Sequence, residues 1–146
     1  MQPLGRLIWE IQHNGQIYID RALKQYGLGN GQYRILNLLY NKNGLRQEEI
    51  ARSLRIDKAA VTKAVHKLLK EGYIRREVNP EDRRVQRVYL MEKSMHIQKD
   101  LMNIFQNWED VLLKDFSFEE TQKIKSLLQK MVENAQLDEV EMENEE

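Results

Sequence analysis

Apolar residues recur at three- and four-residue steps over both ends of the chain, the spacing that lines one face of a helix. Near the start, Leu4, Leu7, Ile8, Ile11, Tyr18, Ile19, Ala22 and Leu23 make one stripe with Trp9 beside it, which predicts a helix over about Leu4 to Tyr26. Gly27 and Gly29 end it. Asn30 reads as the N-cap of a second helix, GQYRILNLLYNK, with Tyr33, Ile35, Leu36, Leu38 and Leu39 on its buried face. Asn43-Gly44 is a turn signal, and Leu45 suits a brief strand. From Lys93 onward, Ile97, Leu101, Ile104, Phe105, Trp108, Val111 and Leu112 make a second long stripe down to Phe116. Ser117-Phe118-Glu119-Glu120 is a capping box that opens a last helix, with Ile124, Leu127, Leu128, Met131 and Val132 expected inward. The closing LDEVEMENEE is acidic and has no periodic apolar face, so the expectation is that it frays or is disordered.

Between the stripes the pattern shortens. QEEIARSL (Gln47 to Leu54) is a short helix, Arg55-Ile56-Asp57 a turn, and KAAVTKAVHKLLKE (Lys58 to Glu71) a second helix stopped by Gly72. Then come YIRREV, NPEDRR and VQRVYL: two β-prone runs around a turn that Asn79-Pro80 starts. Helix, turn, helix and hairpin in that order predict a winged helix-turn-helix. The fold class is therefore mainly α with a small β-hairpin wing (α+β). The segments are an N-terminal dimerisation helix at 1–30, a winged DNA-binding region at 31–92, C-terminal dimerisation helices at 93–136 and an acidic tail at 137–146. The end stripes carry more apolar surface than a small winged helix covers. A homodimer would bury them and match the two-fold symmetry of a palindrome; the competing arrangement folds them back on the same chain.

Charge sharpens the picture. The net charge of the 146 residues is zero. Residues 42–93 nonetheless carry 14 Lys/Arg against 8 Asp/Glu, whereas residues 100–146 carry 4 against 13. Phosphate attraction acts over about 8 Å at physiological salt, so a local basic excess decides binding better than the total does. Charge runs are also common on plain solvated helix faces. The absence of cysteine excludes disulfides, thiolate metal sites and thiol redox sensing. No apolar run is long enough to span a bilayer, and MQPLGRLIWE lacks the basic and apolar stretches of a signal peptide, so no membrane association and a cytoplasmic location are expected.

On the second helix, Val61, Ala64, Val65, Leu68 and Leu69 share a face that would pack against Ile50, Leu54 and Ile56. Opposite lie Lys58, Ala59, Thr62, Lys63, His66, Lys67 and Lys70. Asp57 is placed to cap the helix, whose start could then approach phosphates. A helix in the major groove reads base edges near its N-terminus, which nominates Lys58, Ala59, Thr62 and Lys63; His66 and Lys67 suit phosphates. Arg46, Gln47, Arg52, Ser53 and Arg55 are phosphate candidates on the helix that would cross the backbone. At the hairpin tip, Arg83 and Arg84 suit the minor groove, and Asp82 could hold Arg84 by a bidentate ion pair. A merely charged turn is the alternative.

In this order, GLGNGQYRILNLLYNKNGL, QEEIARSLRIDKAAVTKAVHKLLKEGYIRR, NPEDRRVQRVYLMEK and SFEETQKIKSLLQKMVENA resemble the multiple antibiotic resistance regulator (MarR) family of bacterial transcription factors over about residues 4–136. The D-x-R wing element is matched by Asp82 and Arg84. The resemblance implies a triangular homodimer on a pseudo-palindromic operator, usually a repressor, often released by a small aromatic or anionic ligand. It implies that Thr62 and Lys63 read bases and that Arg84 is the wing arginine. LMEKSM departs from the family's L-T-x-x-G, with Met91 and Ser94-Met95 in that stretch. Trp9, His13, Tyr33 and Trp108 could line an effector pocket, or could simply be core. His13, His66 and His96 are the only histidines, which does not suit a histidine-rich zinc sensor, and no cofactor is expected. A winged helix that docks proteins is the second reading. No nucleophile elbow, phosphate loop or metal-ligand spacing points to an enzyme.

Overall fold

The structure, a computed structural model, describes residues 1–143, with side chains through residue 136. Its helices are α1 (Leu4–Leu23), α2 (Asn30–Asn41), α3 (Gln47–Leu54), α4 (Lys58–Lys70), α5 (Glu92–Leu112) and α6 (Phe118–Glu143). Its strands are β1 (Leu45–Arg46), β2 (Ile74–Val78) and β3 (Gln86–Leu90). The strands form one antiparallel sheet in the order β1-β3-β2, with Leu45 opposite Val88 and Arg76 opposite the same Val88 from the other side. The mainly helical fold with a small wing is thus the one expected.

The chain divides into two units, one ending at Trp108 and one beginning at Glu109, within α5. The first holds the core. Leu23, Ile35, Leu36, Ile50, Val61, Val65, Leu68 and Leu101 are each wholly buried in it. Ala64 joins them, and Leu54, Ile56 and Leu69 pack partly buried against the same cluster. Each fully buried aliphatic side chain contributes about 1.5–3 kcal/mol, well above the few tenths by which helix propensities differ. Packing of the apolar face therefore fixes the short α3 and α4 against each other.

Helix ends follow local chemistry. Gly72, at a left-handed φ of 77°, closes α4: the Tyr73 N–H donates to Leu68 O at 3.0 Å and the Gly72 N–H to Leu69 O at 3.1 Å. Arg55 makes the same motif after α3 at φ 53°, a conformation that costs a side-chain-bearing residue about 1 kcal/mol or more. The Ser117 box forms: Ser117 N–H donates to Glu120 at 2.8 Å, and Glu120 N–H donates to Ser117 Oγ at 3.1 Å.

Several boundaries differ from expectation. The α-helical part of α1 stops at Leu23, and Lys24–Tyr26 is a 3₁₀ turn closed by left-handed Gly27. Gly29, not Asn30, is the N-cap of α2; its N–H donates to Gln32 Oε1 at 2.7 Å, while the Asn30 N–H donates to Asp20. On α6, Ile124, Leu127, Leu128, Met131 and Val132 are exposed rather than turned inward. Leu4, Leu7, Ile8, Trp9 and Ile11 of α1, and Val111 and Leu112 of α5, are exposed as well. Among the described residues, these side chains stay open to solvent. The α6 backbone is helical past residue 136 to Glu143, while the side chains expected as an acidic tail, 137–146, lie outside the described ones. No helix among the described residues is long and apolar enough to cross a membrane.

Candidate nucleic-acid interface

The basic face is built from three elements. α4 turns Val61, Ala64, Val65 and Leu68 into the core, so its other side, with Lys58, Ala59, Thr62, Lys63, His66 and Lys67, is exposed. Asp57 caps it: Oδ1 accepts the Ala60 N–H at 2.7 Å. One of the first N–H groups is therefore held by Asp57 rather than left for a phosphate. The Thr62 hydroxyl donates to Lys58 O at 2.9 Å, which uses its only proton and leaves its methyl and lone pairs outward.

A cleft of about 270 Å³ runs between α4, the start of α3 and the wing. It is lined by Arg46, Gln47, Glu48, Lys58, Thr62, Arg84 and Gln86. Five of these seven were nominated from sequence; Glu48 and Gln86 were not. For Gln86 the signal lay in strand alternation, since it shares a sheet face with buried Val88 two residues on. Glu48 had no signal beyond its place in the first turn of α3, where a carboxylate suits the helix dipole.

Arg46 is already engaged. Its Nε donates to Glu49 at 2.9 Å and its backbone N–H to the same carboxylate at 3.3 Å. The Arg46 side chain is the main cause that holds the Glu49 carboxyl below its ordinary pKa. Glu49 thus fixes the arginine at the cleft edge and offsets part of its charge.

In the wing, Asp82 and Arg84 do pair, but not as a two-pronged fork. A single oxygen, Asp82 Oδ1, accepts both the Arg84 backbone N–H at 3.1 Å and Nε at 3.2 Å. Asp82 also closes the turn, its carbonyl accepting the Val85 N–H at 3.0 Å. The Arg84 side chain stays 93% exposed, so the pair holds its guanidinium at one edge, through Nε, and leaves the rest in solvent. On the strand behind, Arg75 sits 4.6 Å over the Tyr89 ring and pairs with Glu77 at 3.0 Å.

Other nominated residues lie apart from this cleft. Arg83 lines a shallow hollow at the tip with Val78, Pro80 and Gln86. Arg52 and Ser53 line another with Leu38, Lys42, Leu45 and Glu49. Arg55 is exposed at the left-handed C-cap of α3. Arg34 was missed by sequence reasoning: its Nη2 donates to Leu54 O at 3.1 Å and so closes the C-terminal end of α3 across a long sequence separation.

The four residues suggested for an effector pocket do not converge. Trp9 stacks on His13 with ring centroids 4.8 Å apart, and Trp9 is 58% exposed. Trp108 packs on Tyr18 and against Gly15, where an added Cβ would meet the indole at 2.9 Å. Tyr33 stacks on Phe105 at 4.1 Å and lines a cavity of about 170 Å³, with Asn37, Tyr40, Asn41, Gln98, Leu101 and Met102. Burial, with the neighbouring Tyr33 and Tyr73, pushes the Tyr40 hydroxyl up to about 12, so it stays a neutral donor to the carbonyl of Ser94.

Comparison with known proteins gives this geometry its context. Residues 28–85 match the MarR family. A MarR transcriptional regulator from Methanosarcina mazei Go1 is 36% identical, with a TM-score of 0.82 over 90% of this chain and 95% of that one. The HTH-type transcriptional regulator BilQ of Clostridioides difficile is 29% identical over 80% of this chain and 78% of its own length. The S. aureus MepR–DNA complex superposes with a TM-score of 0.80 at 26% identity, over 92% of this chain and 99% of that one.

Proposed function

We propose, because the chain belongs to the MarR family of transcriptional regulators, that it is a sequence-specific DNA-binding regulator, acting as a repressor on a pseudo-palindromic operator. One observation carries the reading: a single cleft unites Lys58 and Thr62 at the reading end of α4 with Arg84 of the wing. Lys58, Ala59, Thr62 and Lys63 read base edges in the major groove. Arg84, steered by Asp82, enters the minor groove, with Arg83 beside it. Arg46, Gln47, Ser53, Arg55, His66 and Lys67 contact phosphates and set register. The similar S. aureus protein crystallised with DNA supports DNA binding as such.

The regulator is a homodimer in which segments 1–30 and 93–136 serve assembly and 31–92 serves reading. What supports this is the apolar surface exposed among the described residues of α1 and, separately, of α6, with Trp9 on the first and Phe118 on the second. Two copies would present two α4 helices to half-sites about 34 Å apart. Any effector is a small single-ring compound. The cavity beside Tyr33 is lined by tyrosines, amides and apolar groups with no charged side chain, which favours a neutral phenol over an anion.

The test is binding to sequences selected from random duplexes, read across salt concentrations. Affinity falls steeply as salt rises. Arg84→Ala weakens operator binding while the melting temperature holds, and Lys63→Ala costs about 1–3 kcal/mol and relaxes base preference at one position. A protein-docking module would instead bind selected and random duplexes alike, with no change in either variant.

A further inference from the structure

A reading helix is aimed by whatever holds its two ends. Asp57 holds the first turn of α4. The other end is held from outside the reader. Glu71, the C-cap, offers a carbonyl beyond the helical ladder, and Lys93 in the first turn of α5 donates Nζ to it at 2.6 Å. The same ammonium lies 4.3 Å from the centroid of the Tyr73 ring. Tyr73 is buried; its hydroxyl donates to the carbonyl of Tyr26, and its own carbonyl accepts the Met91 N–H at 2.8 Å. One lysine thus ties the end of α4 to the start of α5, over a tyrosine rooted in the connection between α1 and α2. The interaction suits its place. A cation at a helix C-terminus is favoured by the dipole, and an aromatic face strengthens its hold.

Lys93 is badly placed to reach the base edges that the start of α4 would read. The 13 residues of α4 rise about 18 Å, so the ammonium is more than a Debye length from Lys58 at the reading end. The same length makes it a lever: a tilt of about 10° pivoting at Glu71 moves the Lys58 end by about 3 Å, enough to break a direct hydrogen bond.

We propose that Lys93 is a positioning residue for DNA reading, which fixes the tilt of α4 against α5 so that the cleft of Lys58, Thr62 and Arg84 engages base edges in one register. The inference rests on the DNA-binding reading above. It assigns a role to a side chain that touches no base, within the very stretch that departs from the family's L-T-x-x-G pattern.

The full chain and its Lys93→Met, Lys93→Gln and Lys93→Arg variants are compared by fluorescence anisotropy on a selected operator and on a random duplex, over a range of salt. Melting temperatures without DNA check the fold. Loss of one charge-assisted hydrogen bond predicts that Lys93→Met and Lys93→Gln weaken operator binding about tenfold. Random-duplex binding stays within about twofold, and the salt slope is unchanged because no phosphate contact is lost. Lys93→Arg, which keeps a cationic donor over the ring, restores operator binding. Operator binding at wild-type strength in Lys93→Met overturns the inference. So does an equal loss on both duplexes with a shallower salt slope, which would make Lys93 a phosphate contact, or a failure of Lys93→Arg to rescue. A wild-type chain that binds both duplexes alike overturns the DNA reading itself, and this inference with it.

Discussion

Arg46 and Glu49 show how a basic cleft is kept in order. Arg46 stands directly across the sheet from Arg87, and like charges so placed repel. Glu49 answers both, and its hydrogen bond from Arg46 lowers its pKa. The sign follows. A carboxyl whose folded pKa is depressed adds stability above its unfolded value, and that stability is lost as the pH falls through the folded value. Glu49→Gln is therefore less stable than the wild type at neutral pH. The difference in melting temperature persists down to about pH 4.5, the ordinary value, and closes below it. Both side chains are partly solvated, so the gap is small, and a gap constant from neutral to strongly acid pH would refute the pairing as its cause.

Among the elements, α5 begins without the side-chain cap that the family's threonine would supply. Met91 precedes it, and its carbonyl accepts both the Ser94 N–H at 3.1 Å and the Ser94 hydroxyl at 2.6 Å. Met91→Thr supplies the missing acceptor and raises stability by about 1 kcal/mol, measured by denaturant melts. Elements such as this were legible in sequence to the extent that their causes are local. Asp57 and Ser117 cap helices within three residues, and Gly72 ends one at its own φ. The helix pair was legible because Val61, Val65 and Leu68 keep a helical period. What escaped reading spans the chain: Arg34 on Leu54, Lys93 on Glu71 and Tyr73 on Tyr26 depend on folded proximity. The exposed face of α6 was misassigned because period tells which residues share a face, not which partner covers it. Arg55 escaped because a left-handed C-cap was expected at glycine.

For the whole molecule, the open apolar faces are where the proposed self-association is to be tested. Leu127 is 45% exposed on α6 amid Ile124, Leu128 and Met131. If a second copy covers this face, Leu127→Glu weakens self-association tenfold or more, since burying a leucine is worth about 1.5–3 kcal/mol. Sedimentation would show the shift to monomer, and an unmoved sedimentation coefficient would place the interface elsewhere. The winged segment is bounded differently, by the β1–β3 pairing. Gly44 N–H donates to Val88 O at 3.1 Å, Arg87 Nη1 to Gly44 O at 2.9 Å across 43 residues, and Leu90 N–H to Asn43 Oδ1 at 2.9 Å. Entry and exit of the winged segment are thereby stitched side by side, and α3, α4 and the hairpin hang as a closed loop from a seam two residues wide. Closing such a seam carries the entropy cost of gathering the loop it shuts, so the expected outcome in pulse-labelled exchange is that the Gly44 amide gains protection late in refolding.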